Sequence, residues 1–528
     1  MKKIRFLYSF FLAIAFVIGA SIYVYGNFQG IFLPLRNLLT AVLSISGLTV
    51  LFYILSTLVI SGLKKLEPHL ESSLWRLFHY PAVFGLIMFC SWLPCYLAYY
   101  PGIFSYDIDV QTAQALGNAP LTRYHPPLHT CFWRLCLFLE NTCGFHALVL
   151  YSIAQMLILA AALTYILYFL IKKKFNNWII LTALLFFCLT PMIAIVSFIP
   201  IKDVMLAAFF AVFTIEVCRF ISEKKQYTDN ISSHVRLILS AVLCCLLRNN
   251  FFYALLPSLV VLLLLAHKYW KTILLWGCSI SISYLLINGP IYTALGIGEG
   301  NVREMLSVPI QQISYVVFHY EEVMNEDDLS DLNEYLPVED LAYLYNPRLA
   351  DPVKYTFDTE AFQKDPMTFF KVWFRLLLKY PDEYVSSFLN LHVPYWYPLA
   401  DAVDEYSKRH YIETTVYSAE LTGYEVIRES KLPSLLEWYE KIASFEKFEE
   451  KPIFARMFSL STPIWLILTT ILILLSRRKI SLISIVLPSF FLWCTFILGP
   501  VSNFRYMIPI IVQYPLYLAV ILQPGKLE

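Results

Sequence analysis

The chain alternates long apolar runs with short polar breaks. Runs at 6–26, 38–63, 81–99, 146–171, 178–199, 204–221, 235–248, 251–266, 272–287, 458–475, 480–498 and 507–522 each approach the roughly 20 apolar residues that cross a bilayer as a helix. The pattern predicts an all-α polytopic membrane protein with about twelve transmembrane helices. Basic residues gather at alternate breaks: Lys64 and Lys65, Lys172 to Lys174, Lys224 and Lys225, Lys268 and Lys271, and Arg477 to Lys479. Positive residues in short loops stay cytoplasmic, so both chain ends are expected inside, with residues 100–145 and 296–452 outside. Residues 1–5 are basic and 6–26 apolar, as in a secretion signal. Tyr23, Tyr25 and Phe28 stand where cleavage needs small residues, so an uncleaved first span is expected.

The two external stretches read differently from the spans. Residues 131–143 are too short to cross and carry Arg134 and Glu140, which predicts an amphipathic helix in the interface. The long stretch has acidic turns such as Asn325 to Asp328 and is expected to be a mainly helical external domain. Within it, 365–380 has helical apolar spacing with Lys371, Arg375 and Lys379 on one flank, and reads as an interfacial helix rather than part of a globular core. Pro394 to Pro398, with Tyr395, Trp396 and Tyr397, reads as an interfacial aromatic belt ahead of a sugar-stacking platform. The chain thus divides into N-terminal spans (1–99), an external loop (100–145), central spans (146–295), an external domain (296–452) and C-terminal spans (453–528).

Composition sharpens this picture. Of 528 residues, 58% are hydrophobic and 15% charged, and the mean hydropathy is +0.60, which excludes an ordinary soluble protein. A net charge of +1 gives no reason for a nucleic-acid partner. Most of the 11 cysteines, Cys244 and Cys245 among them, lie in apolar runs and show no zinc spacing. No glycine-rich nucleotide-binding loop is visible.

Chemistry gathers in the stretch from Tyr99 to Thr130. Asp107 and Asp109 follow a Pro101-Gly102 turn, and His125-Pro126-Pro127 opens a new helix. Two carboxylates at a membrane face suit either a general base or ligands for a divalent ion, and spacing leaves both open. Three further polar islands fall on the same outer face: Lys202-Asp203, Arg248-Asn249-Asn250 and Arg505-Tyr506. Charge at helix ends in a membrane is costly unless it has a use, and a lipid phosphate at this depth would be bound by such cations. Each has a plainer reading. Asp107 suits the N-cap of the following helix, Lys202 suits an interfacial snorkel, and Arg248 and Arg505 suit structural pairs with Asp203 or Asp107.

The ordered combination of acidic motif and His-Pro-Pro resembles the GT-C class of membrane glycosyltransferases, which includes protein O-mannosyltransferases and aminoarabinose transferases. Pro-Gly-x-x-Ser-x-Asp, then Gln, then His-Pro-Pro is similar to a bacterial branch of that class without an agreed substrate. The resemblance implies a GT-C-like bundle in a bacterial cytoplasmic membrane with an outward active site. It implies inverting transfer of a sugar from a polyprenyl-phosphate donor to an envelope glycan, lipid or protein. Asp107 would be the base, Asp109 and His125 its companions, and Lys202, Arg248, Asn249, Arg505 and Tyr506 the donor-phosphate site. Some members of the class bind a divalent ion at the acidic pair and others do not, so the resemblance leaves open whether Asp107 and Asp109 hold Mg or Mn here. A flippase of lipid-linked saccharides, a polysaccharide polymerase or ligase, and a non-catalytic scaffold are the alternatives.

Overall fold

The computed structural model describes residues 2–32, 34–66, 81–401, 411–416, 422–449 and 451–527; parts of the external stretch lie outside these. The described residues are helical, with no strand and two isolated bridges, Thr122 to Gly298 and Leu349 to Val501. Seven helices are long and apolar enough to cross a membrane: Lys2–Tyr25, Leu35–Leu63, Pro81–Ala98, Ala147–Lys172, Lys202–Glu223, His267–Ala294 and Phe504–Leu522. The chain is therefore a polytopic helical membrane protein. The other expected runs form shorter apolar helices, Asn177–Leu189, Ile231–Leu247, Asn249–Leu265, Thr462–Ser476 and Leu487–Phe496. Proline explains one of the shortfalls. Thr190 ends the Asn177–Leu189 helix and Pro191 starts the separate turn Pro191–Val196, because proline can open a helix but not continue one.

The Lys202–Glu223 helix is the axis of the bundle. Its most apolar window is 83% buried, against 11% for Leu35–Leu63, whose Leu39, Leu43, Leu51 and Leu58 remain exposed. Ala147–Lys172, Ile231–Leu247 and Phe504–Ile511 pack around that axis. Everything attached to its ends is thereby held at the centre of the molecule.

The long segment after the ninth apolar run has its own core of Ile310, Ile313, Val316, Leu332, Leu341, Phe369, Val372 and Leu376. The last three come from the helix Pro366–Lys379, so this segment does contribute to a globular core, contrary to the sequence expectation. The Tyr-Trp-Tyr cluster is also corrected. Tyr395 and Tyr397 are buried, and the helix Pro381–Trp396 lies along the C-terminal half of the first span. Asn390 donates to the Gly26 carbonyl there, and a methyl on Gly19 would fall 2.4 Å from the Tyr397 ring. The helix Pro127–Cys143 buries Trp133, Cys136 and Leu137 and exposes Leu135 and Phe138, the two-faced pattern its sequence predicts.

Candidate active site

The loop before Asp107 is folded tightly onto the bundle. Gly102 has φ +148°, and a Cβ there would sit 2.8 Å from the Leu148 side chain, so glycine is required for this close approach. Tyr106 has φ 62°, an uncommon conformation for a residue with a side chain. Two contacts hold it: the Glu413 backbone N–H donates to its hydroxyl at 2.7 Å, and the Arg505 guanidinium lies 4.9 Å over its ring. The Ser105 hydroxyl also donates to the Glu413 carbonyl at 3.0 Å. A cavity of ≈ 380 Å³ beside this segment is lined by Glu413, Glu440 and Arg428, and by none of the charged residues around Asp107.

Asp107 occupies the N-cap position of the helix Ile108–Leu116, but its side chain does not cap it. The carboxylate turns inward instead. Its Oδ2 accepts from Lys202 Nζ at 2.9 Å and Arg505 Nη1 at 3.1 Å, and lies 3.7 Å from His125 Nδ1. Burial alone would raise the Asp107 carboxyl, but Arg505, then Lys202 and His125, hold it well below the usual carboxylate range. Lys202 is the first residue of the axial helix, where the backbone favours an anion. Asp203 beside it is buried and pairs with Arg248, and its other oxygen faces Arg505 Nε at 4.0 Å. Arg248 lies in extended conformation between two helices, 4.1 Å over the Tyr506 ring and 4.9 Å over Phe496. Three cations and two carboxylates thus share one buried cluster with a surplus of one positive charge.

The cluster has unused hydrogen-bonding capacity. Arg248 Nε, Arg505 Nε, Asp203 Oδ2 and both ring nitrogens of His125 are buried without a hydrogen-bond partner. Each such group costs about 1–3 kcal/mol, so their concentration at one point requires an explanation. His125 is edge-on to Tyr124 at 4.5 Å, and burial followed by the Lys202 charge pushes its imidazole down to about 4. It is neutral near neutral pH and presents one donor and one acceptor.

Two expected residues stand apart. Asn249 Oδ1 accepts from the Tyr284 hydroxyl at 3.1 Å rather than facing the cluster. Asp109 Oδ1 accepts from the Val110 N–H at 2.6 Å, and burial, aided by the Asp107 charge, raises its carboxyl above the ordinary value.

Sequence reasoning missed a polar chain that positions these groups. His129, one turn beyond His125, bridges Gln111 Oε1 at 2.9 Å and the Tyr151 hydroxyl at 2.6 Å. Tyr151 lies 3.1 Å from Gln155 Oε1, and Gln155 Nε2 donates to the Ser197 and Ile199 carbonyls at 3.0 and 2.7 Å, just ahead of Lys202. The signal was present: Tyr151 and Gln155 interrupt the otherwise apolar helix Ala147–Lys172 on one face. On the far side, Tyr395 accepts from the Asn503 N–H at 2.7 Å, and Asn503 Oδ1 caps the Arg505 N–H at 3.0 Å.

A family model described as a family of unknown function, DUF6020, matches residues 121–525. That region includes His125, Lys202, Asp203, Arg248 and Arg505 and begins after Asp107 and Asp109. No curated protein and no solved structure matches the chain.

Proposed function

The chain belongs to the DUF6020 family, and we propose that it is a GT-C-type glycosyltransferase using a polyprenyl-phosphate sugar. The reading rests above all on the buried cluster at the head of the axial helix, whose spare donors and single surplus positive charge suit the one negative charge of a phosphodiester. Seven long and five shorter apolar helices would together make the twelve crossings of the proposed bundle. The cluster would then face the outside of a bacterial cytoplasmic membrane, with both chain ends inside.

In this mechanism Asp107 first acts as a placeholder. Held far down by Arg505 and Lys202, despite burial that pushes the other way, its carboxylate is a poor base. When the donor phosphate takes the hydrogen bonds of Lys202 and Arg505, Asp107 loses its partners and its proton affinity rises. The acceptor hydroxyl oxygen then attacks the anomeric carbon, the sugar–phosphate bond breaks with inversion, and Asp107 takes the hydroxyl proton. Lys202, Arg505 and Arg248 stabilise the negative charge gained by the leaving lipid phosphate. Neutral His125 is placed to hydrogen-bond either the phosphate or the incoming hydroxyl, and Tyr506 packs under the Arg248 guanidinium.

A divalent ion fits this acidic pair poorly. Lys202 and Arg505 already face the Asp107 oxygen that would bind it, and Asp109 Oδ1 is engaged with Val110. The flippase reading needs ionisable groups open to a path through the bilayer. The buried charge deeper in the bundle, around Glu216, is closed off by its own partners.

The purified protein in vesicles, given a polyprenyl-phosphate sugar and envelope extracts, should transfer the sugar. Surface glycan or glycolipid composition should change when the protein is removed. Unchanged glycans together with lipid-saccharide movement across vesicles would replace this reading with the transporter.

A further inference from the structure

The helix Pro366–Lys379 has two apolar faces, and the external domain uses only one. Phe369, Val372 and Leu376 fill the domain core, whereas Met367, Phe370, Phe374 and Leu378 are 64, 41, 54 and 69% exposed. Their spacing of three and four residues places them along one side of the helix. Exposed Lys371 flanks this second stripe and exposed Lys379 ends the helix, and neither forms an ion pair among the described residues. Arg375, between them, holds Asp328 and Asp331.

The height of this helix follows from its neighbour. Tyr380 alone separates it from the helix Pro381–Trp396, whose Asp382 and Glu383 both accept from Gln29. Gln29 lies in the short turn after the first span, close to exposed Phe32 and Leu35. The first span, at 24 residues, is about 36 Å long. That exceeds the ~30 Å hydrocarbon core, so its far end reaches the headgroups. The contacts of Gln29 with Asp382 and Glu383 therefore bring Leu378 and Lys379 to headgroup height.

We propose that the Met367, Phe370, Phe374 and Leu378 stripe docks on the outer leaflet, with Lys371 and Lys379 on anionic lipid headgroups. An apolar stripe with lysines on its flank is the form such interfacial helices take. The contact fixes the height of the external domain over the membrane, and it stands whether or not the chain is a transferase.

The test is photo-crosslinking of the full-length protein in phosphatidylcholine vesicles carrying a diazirine-tailed phosphatidylglycerol, followed by peptide mapping. Adducts are expected on Phe370 to Leu378 at a level comparable to Leu39 and Leu43 of the second span, with none at exposed Tyr343. Phe374→Asp should lower the adducts on this helix several-fold while leaving those on the second span unchanged. Adducts on the second span alone would overturn the proposal.

Discussion

The two ends of the axial helix carry buried charge of opposite design. Towards its C-terminal end, Glu216 is fully buried and satisfied: Arg219 and Arg236 pair with it at 3.3 and 3.0 Å, and the Tyr227 and Tyr165 hydroxyls donate to it. Glu223 completes this set with Lys173 and Arg219 at 3.2 and 3.1 Å. None of these side chains has an unpartnered buried atom, whereas the cluster around Asp107, at the N-terminal end, has five. Lys202 and Glu216, 14 residues apart in one helix, lie about 21 Å from each other, in the same bundle and with Arg, Lys and carboxylate groups at both. A closed network fastens helices together. An open one keeps capacity for something that is not yet bound.

The comparison is open to breaking at either end. The largest effect is expected at Asp107, whose replacement by Asn should lower transfer by roughly a hundred- to ten-thousandfold, with a smaller fall in melting temperature than Glu216→Ala because the isosteric amide fills the same space; the readout is turnover with a polyprenyl-phosphate sugar. Next comes the Glu216 network. Glu216→Ala takes the shared acceptor from Arg236, Tyr165 and Tyr227 and leaves Arg219 only Glu223, and should cost about 3–5 kcal/mol of stability, seen as a large drop in thermal melting, and Tyr227→Phe about 1 kcal/mol. If Glu216→Ala melts like the unaltered protein, the closed network is not a clamp.

Lys202→Gln and Arg505→Gln should each raise the donor concentration needed for half-saturation ten- to a hundredfold, the equivalent of about 1.5–3 kcal/mol for a charge-assisted contact. Neither should lower melting as Glu216→Ala does. The smallest effect is a pH dependence. His125 is held at about 4 in the folded chain, below its value of 6.5 when unfolded, so the unfolded state takes the proton first. Its contribution to stability is full above 6.5 and is lost as pH falls from 6.5 towards 4. His129, held at about 3 by burial, acts in the same direction. Melting measured against pH should decline in that window, and His125→Asn should flatten part of the decline.

The helical architecture was readable because apolar runs are long and proline and lysine punctuate them; among the runs that fell short, 178–199 contains Pro191 and 480–498 contains Pro488. The cluster around Asp107 was readable as isolated charges, and the plainer reading, in which Arg248 and Arg505 pair with Asp203 or Asp107, describes the geometry found. Which carboxylate took which cation was not readable, because the partners lie between 45 and 398 residues apart. Asn249 and Asp109 were credited for adjacency, yet helical geometry turns neighbours to different sides. The Glu216 network was overlooked for the converse reason: Glu216, Arg219 and Glu223 look like an ordinary charged helix end until Tyr165 and Arg236 close around them. The two stripes of Pro366–Lys379 merge in sequence into one apolar helix, and only packing separates the face that builds a core from the face left free.

The central claim is that Asp107 occupies the place of a lipid phosphate until the donor arrives. Binding of a polyprenyl phosphate to Asp107→Asn, measured beside the unaltered protein in the same vesicles, tests it directly. With the competing carboxylate gone and Lys202 and Arg505 free, the variant should bind the lipid phosphate at least as tightly, and several-fold tighter if both cations are released. Weaker binding by a variant that melts normally would contradict the account and make Asp107 part of a structural ion-pair network like the one at the other end of the helix.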